Sequence, residues 1–446
     1  MTKNSSVLVV TFFLFLISFR IAYDFLNGIE YHYEEAQYWV WSQNPSLSYL
    51  TKGPFVASII SLSNSIFGQS YLGLKFFSLL AYIGTIIFMS YSSIALNNDK
   101  NIGVTALLIT GLSPAVFFLG GVASTDVYLF VFWSLALFGY IKFYVNKDER
   151  WFYLISLATG LGSLTKLSMA LLHTSILIYF LVTENRKYFY SIHLYFSALL
   201  AILIASPIII WNIDNDWLTL SHEMGHLVSG TPSNNPEILL MTMIVTIPSA
   251  LLLFIKDIRA KIFSKESSFL LIPFLIMFSF FVLKSFSGKI QLNWTIPLFL
   301  TLVPLLSYAV NNKTKSVIAL SFFILSPIFL ISNKQISSLL SDNDPLHPMR
   351  GWNQTYEYLF KDETYNLLSS SDYKLLSTAA YFLGEAKMLR LEADANRRLA
   401  HYDLWNRGED IKQNILHITY SDKLPKSDSM NCVCLLYTSP SPRDKC

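Results

Sequence analysis

The chain has 446 residues, 53% of them hydrophobic and only 14% charged, against about 25% charged in ordinary soluble domains. Mean hydropathy is +0.43, and net charge is only +3. This composition excludes disordered, collagen-like and coiled-coil proteins, argues against a soluble enzyme, and gives no reason to expect a nucleic-acid partner. The 34 Phe and 25 Tyr suit a protein solvated by lipid, with aromatic side chains at the interfaces.

In chain order, the first run long enough to cross a bilayer is Val7 to Leu26. No small-residue cleavage site follows it, so it reads as a retained span rather than a signal peptide. A polar, aromatic loop over residues 27–54 comes next. Within it, Glu34 to Ser42 predicts a short helix whose Tyr38, Trp39 and Trp41 suit the headgroup level. Phe55 to Phe67 is short for a span and reads as a second interfacial helix. Further spans are expected near Tyr71–Leu96, Ile102–Leu119, Val127–Tyr144, Phe152–Leu164, Leu167–Val182, Phe189–Ile210, Glu237–Ile255, Phe269–Lys284, Asn293–Val310 and Ser316–Ile331. That makes about eleven passes.

Lysine and arginine bias sets the orientation. With the N-terminus cytoplasmic, the inner loops collect Lys100, Lys147, Arg150, Arg186, Lys187, Arg259, Lys261 and others, and the outer loops before the C-terminal tail carry few, namely Lys52, Lys166, Lys284 and Lys289. The composition turns polar after about residue 332. The expectation is mainly α: a polytopic helical membrane domain over 1–332, then a small, truncated α/β domain over 333–431 on the non-cytoplasmic side. That domain holds an apolar run at Tyr373–Leu383 and a charged helix at Glu385–Leu399. All three cysteines fall at 432, 434 and 446, which gives no disulfide or metal framework. The run over 434–446 reads as a translated sequencing-library adapter.

Ionisable residues on the outer face are where chemistry is expected. Glu34 and Glu35 open the predicted helix. A carboxylate there serves as a general base or merely complements the helix dipole. Asp126 stands where an outer loop enters a span, as an N-cap or as a partner to Glu34. Lys52, beside Gly53-Pro54, is a candidate phosphate contact or a snorkelling anchor. Lys166 and Lys289 raise the same two readings, and several outer cations together would suit an anionic headgroup. His222-Glu223-Met224-Gly225-His226 has zinc-protease order but no third ligand.

Taken in order, these pieces resemble the bacterial lipid-linked-sugar glycosyltransferases of the GT-C class. This is the family of protein O-mannosyltransferases and of the transferase that adds aminoarabinose to lipid A (glycosyltransferase family 39/83-like). The family's Asp-Glu-Ala-x-Tyr-Trp stands as Glu34 to Trp39, and its Tyr-x-x-Lys-Pro-Pro as Tyr49 to Pro54. Thr125-Asp126, Gly160-Leu161-Gly162 followed by Lys166, Trp211-Asn212 with Trp217, Asn293-Trp294 before Pro297, and Arg350-Gly351-Trp352 complete the set. The resemblance covers about residues 7–410. It implies inverting transfer of a sugar from a polyprenyl-phosphate donor to a lipid, glycan or protein acceptor at the outer face of the inner membrane. It implies Glu34 as base, Asp126 as its partner, Glu35 as its neighbour in the catalytic set, and Lys52, Lys166, Lys289, Tyr38, Trp39 and Asn293 as substrate contacts. No cofactor is required, and no nucleotide-binding loop is present. Thr51 stands where the family often has an acid, which leaves a divalent metal there without support. Gly53 replaces the first proline, which predicts a looser turn. The competing readings are a transporter or flippase of lipid-linked sugar, and a sensor or scaffold. Polar residues clustered at one face, rather than at mid-membrane in inverted repeats, favour the transferase.

Overall fold

The computed structural model describes residues 3–228, 256–287, 290–309, 346–360, 367–386, 389–391, 400–405, 415–419 and 432–434. The expected spans Glu237–Ile255 and Ser316–Ile331 lie outside these. The chain forms two compact units. One is helical and comprises Met1–Arg20, Leu47–Val56 and Lys75–Ser326; the other joins Ile21–Ser46 and Ala57–Leu74 to Pro327–Cys446.

The helices begin with α1 (Lys3–Asn27), α2 (Tyr33–Gln43), α3 (Phe55–Phe67) and α4 (Tyr71–Asn97). They continue through α5 (Lys100–Gly111), α6 (Pro114–Gly120), α7 (Thr125–Asn146), α8 (Trp151–Ser163), α9 (Met169–Val182), α10 (Ile192–Asp214) and α11 (Leu218–Val228). Next come α12 (Lys256–Ile262), α13 (Ser268–Ser287), α14 (Leu292–Leu300) and α15 (Val303–Ala309). Among the described residues four helices are long and apolar enough to cross a membrane, and a fifth span results if the bent pair α5–α6 is one crossing.

Two expected spans are broken, each at a proline. The run Ile102–Leu119 divides into α5 and α6 with a 66° bend. Pro114 opens α6 at a position where its missing N–H costs nothing. The run Asn293–Val310 divides into α14 and α15, and Pro304 in the first turn of α15 cannot donate the bond a continuous helix would need.

α7 is the centre of the helical unit, packing on α8 and α14, while α8 packs on α10. Lipid tails are as apolar as leucine, so close packing and interhelical hydrogen bonds hold such helices together. Trp133 Nε1 donates to Thr301 Oγ1 at 3.1 Å, and the Tyr140 hydroxyl to the Phe269 carbonyl at 2.9 Å. Gly160 lets α8 approach α10: a Cβ there would lie 2.8 Å from Ile204 Cβ. On its other side α10 exposes Ile202, Leu203, Ile209, Ile210 and Ile213, an apolar stripe suited to lipid.

The second unit holds a parallel sheet of order β2-β1-β3-β4, from Leu367–Ser370 (β1), Leu389–Leu391 (β2), Ile415–Thr419 (β3) and Cys432–Cys434 (β4). Three helices lie in the same C-terminal segment: α16 (Trp352–Leu359), α17 (Tyr373–Leu383) and α18 (Tyr402–Trp405). α17 is the crossover between β1 and β2. Asp372 caps it, accepting from the Lys374 N–H at 2.8 Å, and Gly384 ends it with φ +72°. The charged helix expected at Glu385–Leu399 is not formed at its start. Leu389-Arg390-Leu391 is instead β2, in register with Leu368 to Ser370. Alternating apolar residues beside a partner strand outweigh local helix propensity; residues 392–399 lie outside those described.

Candidate active site

In the helical unit the site is built on the start of α7. Ser124 is its N-cap residue but makes no side-chain cap bond, so the capping role expected for this stretch is not what Asp126 performs. Asp126 sits in the first helical turn, where a negative charge meets the positive end of the helix dipole. Its carboxylate is buried and doubly held. Lys166 Nζ donates to Oδ1 at 2.7 Å, and Asn293 Nδ2 donates to Oδ2 at 2.7 Å. The ion pair is nearly dry, with 5% of the Asp126 side chain and 11% of Lys166 exposed.

Lys166 reaches Asp126 because of the turn before it. Gly162 accepts from the N–H groups of Thr165 at 3.0 Å and Lys166 at 2.9 Å, and from Thr165 Oγ1 at 2.6 Å. A Cβ on Gly162 would meet Met169 Cγ at 2.7 Å, so the small residue lets the start of α9 close down on the end of α8. Asn293 arrives from the first turn of α14.

Lys52 lies in a buried loop of the same unit. The Tyr49 N–H donates to the Lys52 carbonyl at 3.0 Å, and Ser48 Oγ donates to it at 3.3 Å. Thr219 Oγ1 at the start of α11 donates to the Tyr49 carbonyl at 3.5 Å. Thr219 is itself placed by the Trp211-Asn212 motif, since Asn212 Oδ1 accepts from its N–H at 3.1 Å. On the opposite side the Phe55 N–H donates to the Leu164 carbonyl at 3.2 Å. The turn at Gly53 is therefore not looser, as the missing proline predicted: it is pinned against the 160–166 turn.

The acids of α2 belong to the second unit. His32 caps the helix: Nδ1 accepts from the Glu34 N–H at 3.3 Å, and Glu35 Oε2 accepts from the His32 N–H at 2.8 Å. This is a capping box with histidine in place of Ser or Thr. Glu35 is fully buried in that role. Glu34 is partly exposed, and its carboxylate accepts no hydrogen bond among the described residues.

Glu34 stands among tyrosines. Burial, then the negative charges of Glu34 and Asp372, pushes the Tyr373 phenol up to about 12. Lys374 Nζ lies 4.9 Å from the Tyr33 ring centroid, Trp39 meets Tyr381 edge-on at 5.3 Å, and Asn44 Nδ2 donates to the Ala386 carbonyl at 3.3 Å. Successive contacts advance together along α2 and α17, so the two helices run parallel with their N-termini side by side. Tyr38 and Trp39, expected at substrate or headgroup level, are buried packing residues, Tyr38 meeting Trp41 edge-on at 5.4 Å.

The structure thus brings together Asp126, Lys166 and Asn293, with the Lys52 loop docked on the same turn, and holds Glu34 and Glu35 in the other unit. Lys289 and the side chains of Glu223 and His226 lie outside the described residues, among which no group of three His, Cys, Asp or Glu side chains could hold a metal. Sequence reading missed His32, which stands three residues before Glu35 at capping-box spacing, and Tyr373, which nothing in the sequence links to Glu34.

Residues 51–211 match the family model for dolichyl-phosphate-mannose-protein mannosyltransferase. Over that stretch, a little over a third of its length, the chain is similar to that family. It is 25% identical over 232 residues to the lipid A galacturonosyltransferase RgtD of Rhizobium johnstonii, a match covering 50% of this chain and 46% of that one. It is 28% identical over 157 residues to an uncharacterized protein of Aquifex aeolicus, covering 35% of this chain and 32% of the other. The chain thus matches less than half the length of these curated relatives. Crystal structures of ArnT from Cupriavidus metallidurans share the fold. The form bound to undecaprenyl phosphate has a TM-score of 0.65 at 14% identity, covering 88% of this chain and 87% of that one. The apo form has a TM-score of 0.61 at 16% identity, covering 86% and 75%.

Proposed function

We propose that this protein is a GT-C glycosyltransferase, moving a sugar from a polyprenyl-phosphate donor to a lipid, glycan or protein acceptor at the outer face of the bacterial inner membrane. The observation that carries this reading is the docking of the Lys52 loop onto the turn that presents Lys166 to Asp126. It gathers two cations in one unit, where a departing phosphate would find charge-assisted donors in a poorly hydrated setting.

The transfer is inverting. The acceptor oxygen attacks the anomeric carbon, the bond from that carbon to the phosphate oxygen breaks, and polyprenyl phosphate leaves with the electron pair. The acceptor proton goes to a carboxylate. Glu34 is assigned that role, because its carboxylate is partly exposed and accepts no hydrogen bond among the described residues, while Glu35 is tied into the helix cap. Asp126 is not assigned a proton, since both its oxygens already accept hydrogen bonds. Its part is to orient Lys166, with Asn293 bracing the carboxylate from the other side. Lys289 is assigned to the same outer-face cation set on the family pattern alone. The topology that goes with this reading has a cytoplasmic N-terminus, with the 27–54 loop and the C-terminal segment outside.

The test is purified protein in lipid nanodiscs with a panel of undecaprenyl-phosphate sugars and lipid A as acceptor. Donor consumption with appearance of glycosylated lipid A supports the reading with a lipid acceptor. Movement of the donor across a vesicle bilayer without any transfer would instead favour a flippase.

A further inference from the structure

Gly53 stands where its family pattern has proline, and its surroundings leave no room for any side chain. A Cβ built there would lie 2.1 Å from the carbonyl oxygen of Leu164, 2.6 Å from its carbon and 2.9 Å from Ile208 Cδ1. The first two are backbone atoms and cannot swing aside as the end of a flexible side chain would. Leu164 is the C-cap residue of α8, its own N–H held by the Gly160 carbonyl at 3.1 Å. Two residues on, Lys166 is fixed to Asp126. One residue before Gly53 is Lys52, and two residues after it the Phe55 N–H binds that same Leu164 carbonyl at 3.2 Å. One carbonyl oxygen therefore sits at the junction of the two cation-bearing segments, approached closely only because position 53 has no Cβ.

We propose that Gly53 is a positioning residue: by packing directly on the Leu164 carbonyl it fixes the Lys52 loop to the Lys166 turn, so that the two lysines act as one anion-binding unit toward the donor's phosphate. This rests on the reading of Lys52 as a phosphate contact. Any side chain at 53 must push the loop away from the turn, moving Lys52 relative to Lys166 while leaving both charges present. A misplacement of this kind weakens binding of a phosphate that both cations must reach, without removing either donor.

The experiment measures binding of undecaprenyl phosphate to the full chain in nanodiscs, for wild type, Gly53→Ala, Lys52→Ala and the double variant. Lys52→Ala should lose roughly 10- to 150-fold in affinity, the range for one charge-assisted contact. Gly53→Ala should lose about tenfold or more, yet less than about twofold further when Lys52 is already alanine, because coupled residues are not additive. A merely structural role for Gly53 would lower affinity equally in both backgrounds, and that additivity would overturn the proposal. If Lys52→Ala binds normally, the phosphate reading of Lys52 falls and the coupling falls with it. If Lys52→Ala is weak but Gly53→Ala binds normally, the coupling alone is wrong.

Should Gly53→Ala not fold, wild-type hydrogen exchange decides. Undecaprenyl phosphate should protect the amides of Phe55 and Lys166 together, and protection of one segment without the other would refute the coupling.

Discussion

The chain carries two carboxylate sites that differ in what surrounds them. On α7, Asp126 is buried, paired with Lys166 and braced by Asn293, so each of its carboxylate oxygens is held by a donor. On α2, Glu35 is tied into the helix cap, while the partly exposed Glu34, beside Tyr33 and Tyr373, accepts no hydrogen bond among the described residues. A buried carboxylate held at both oxygens suits fixing geometry, whereas a partly exposed one can exchange a proton with solvent or substrate. On the proposed reading, this contrast gives positioning to one site and proton transfer to the other.

The largest effect should come from Glu34→Gln, which keeps size and hydrogen-bonding capacity but removes the proposed base. Single-turnover sugar transfer should fall about 10²- to 10⁴-fold, at matched amounts of folded protein. Full activity in this variant would transfer the proton to another group. Glu34→Asp sharpens the test, since it introduces the acid usual in the family that the motif resembles: retained activity means that the cap geometry set by His32 suits the shorter acid, and lost activity means that the loop has adjusted to the longer side chain.

Asp126→Ala attacks the other site and should act on stability. It strands the Lys166 ammonium in a nearly dry environment, and breaking a buried pair in this way typically costs about 3–5 kcal/mol. Thermal unfolding in detergent should show a large drop, and Asp126→Asn a smaller one, because the amide oxygen can still accept from one donor. An Asp126→Ala protein that melts like wild type but does not turn over would reverse the assignment and make Asp126 the acid that reacts.

How much of this was visible beforehand depends on sequence distance. The ordered motifs pointed to the GT-C resemblance, and the rarity of charges in so apolar a chain put Asp126, Lys166 and Asn293 among the candidates. Their mutual contact was not readable, since Asp126 is 40 residues from Lys166 and 167 from Asn293. The prolines that break two expected spans were in plain view, but an apolar run alone does not say whether Pro114 or Pro304 opens a new helix or bends an old one. Leu389 to Leu391 was misread as helix because its strand partner lies twenty-one residues upstream in register. Gly53 was misread in sign. A missing proline suggests slack, and only the carbonyl of Leu164 explains why glycine is needed.

The scaffold behind Glu34 should also be sensitive to pH. His401 is buried in the second unit, edge-on to Trp41 at 5.8 Å and to Trp405 at 5.0 Å, and burial lowers its pKa to about 4. An unfolded histidine titrates near 6.5. The unfolded chain therefore binds this proton first, so the contribution is fully present above about pH 6.5 and is lost as pH falls toward 4. The loss is about 3 kcal/mol by pH 4. Unfolding midpoints measured from pH 7 to 4 should decline in the wild type and flatten in His401→Phe; parallel declines would mean that other groups govern acid stability.

The smallest effect separates the neighbours Glu34 and Glu35. Glu35→Gln removes a charge from the first turn of α2, yet glutamine can still accept the His32 N–H at the third helical position of a capping box. The cost should be well under 1 kcal/mol in stability, with turnover within a few-fold of wild type. Glu35→Ala removes the cap bond itself and should cost about 0.5–2 kcal/mol, the usual range for losing a helix cap. Activity in Glu35→Ala should recover on cooling or on adding a stabilising lipid, because only the fraction of correctly capped α2 has changed; Glu34→Gln should recover under neither condition. If Glu35→Gln proves as inactive as Glu34→Gln while folding normally, the cap does not keep Glu35 from the chemistry, and the division of labour between the two acids is wrong.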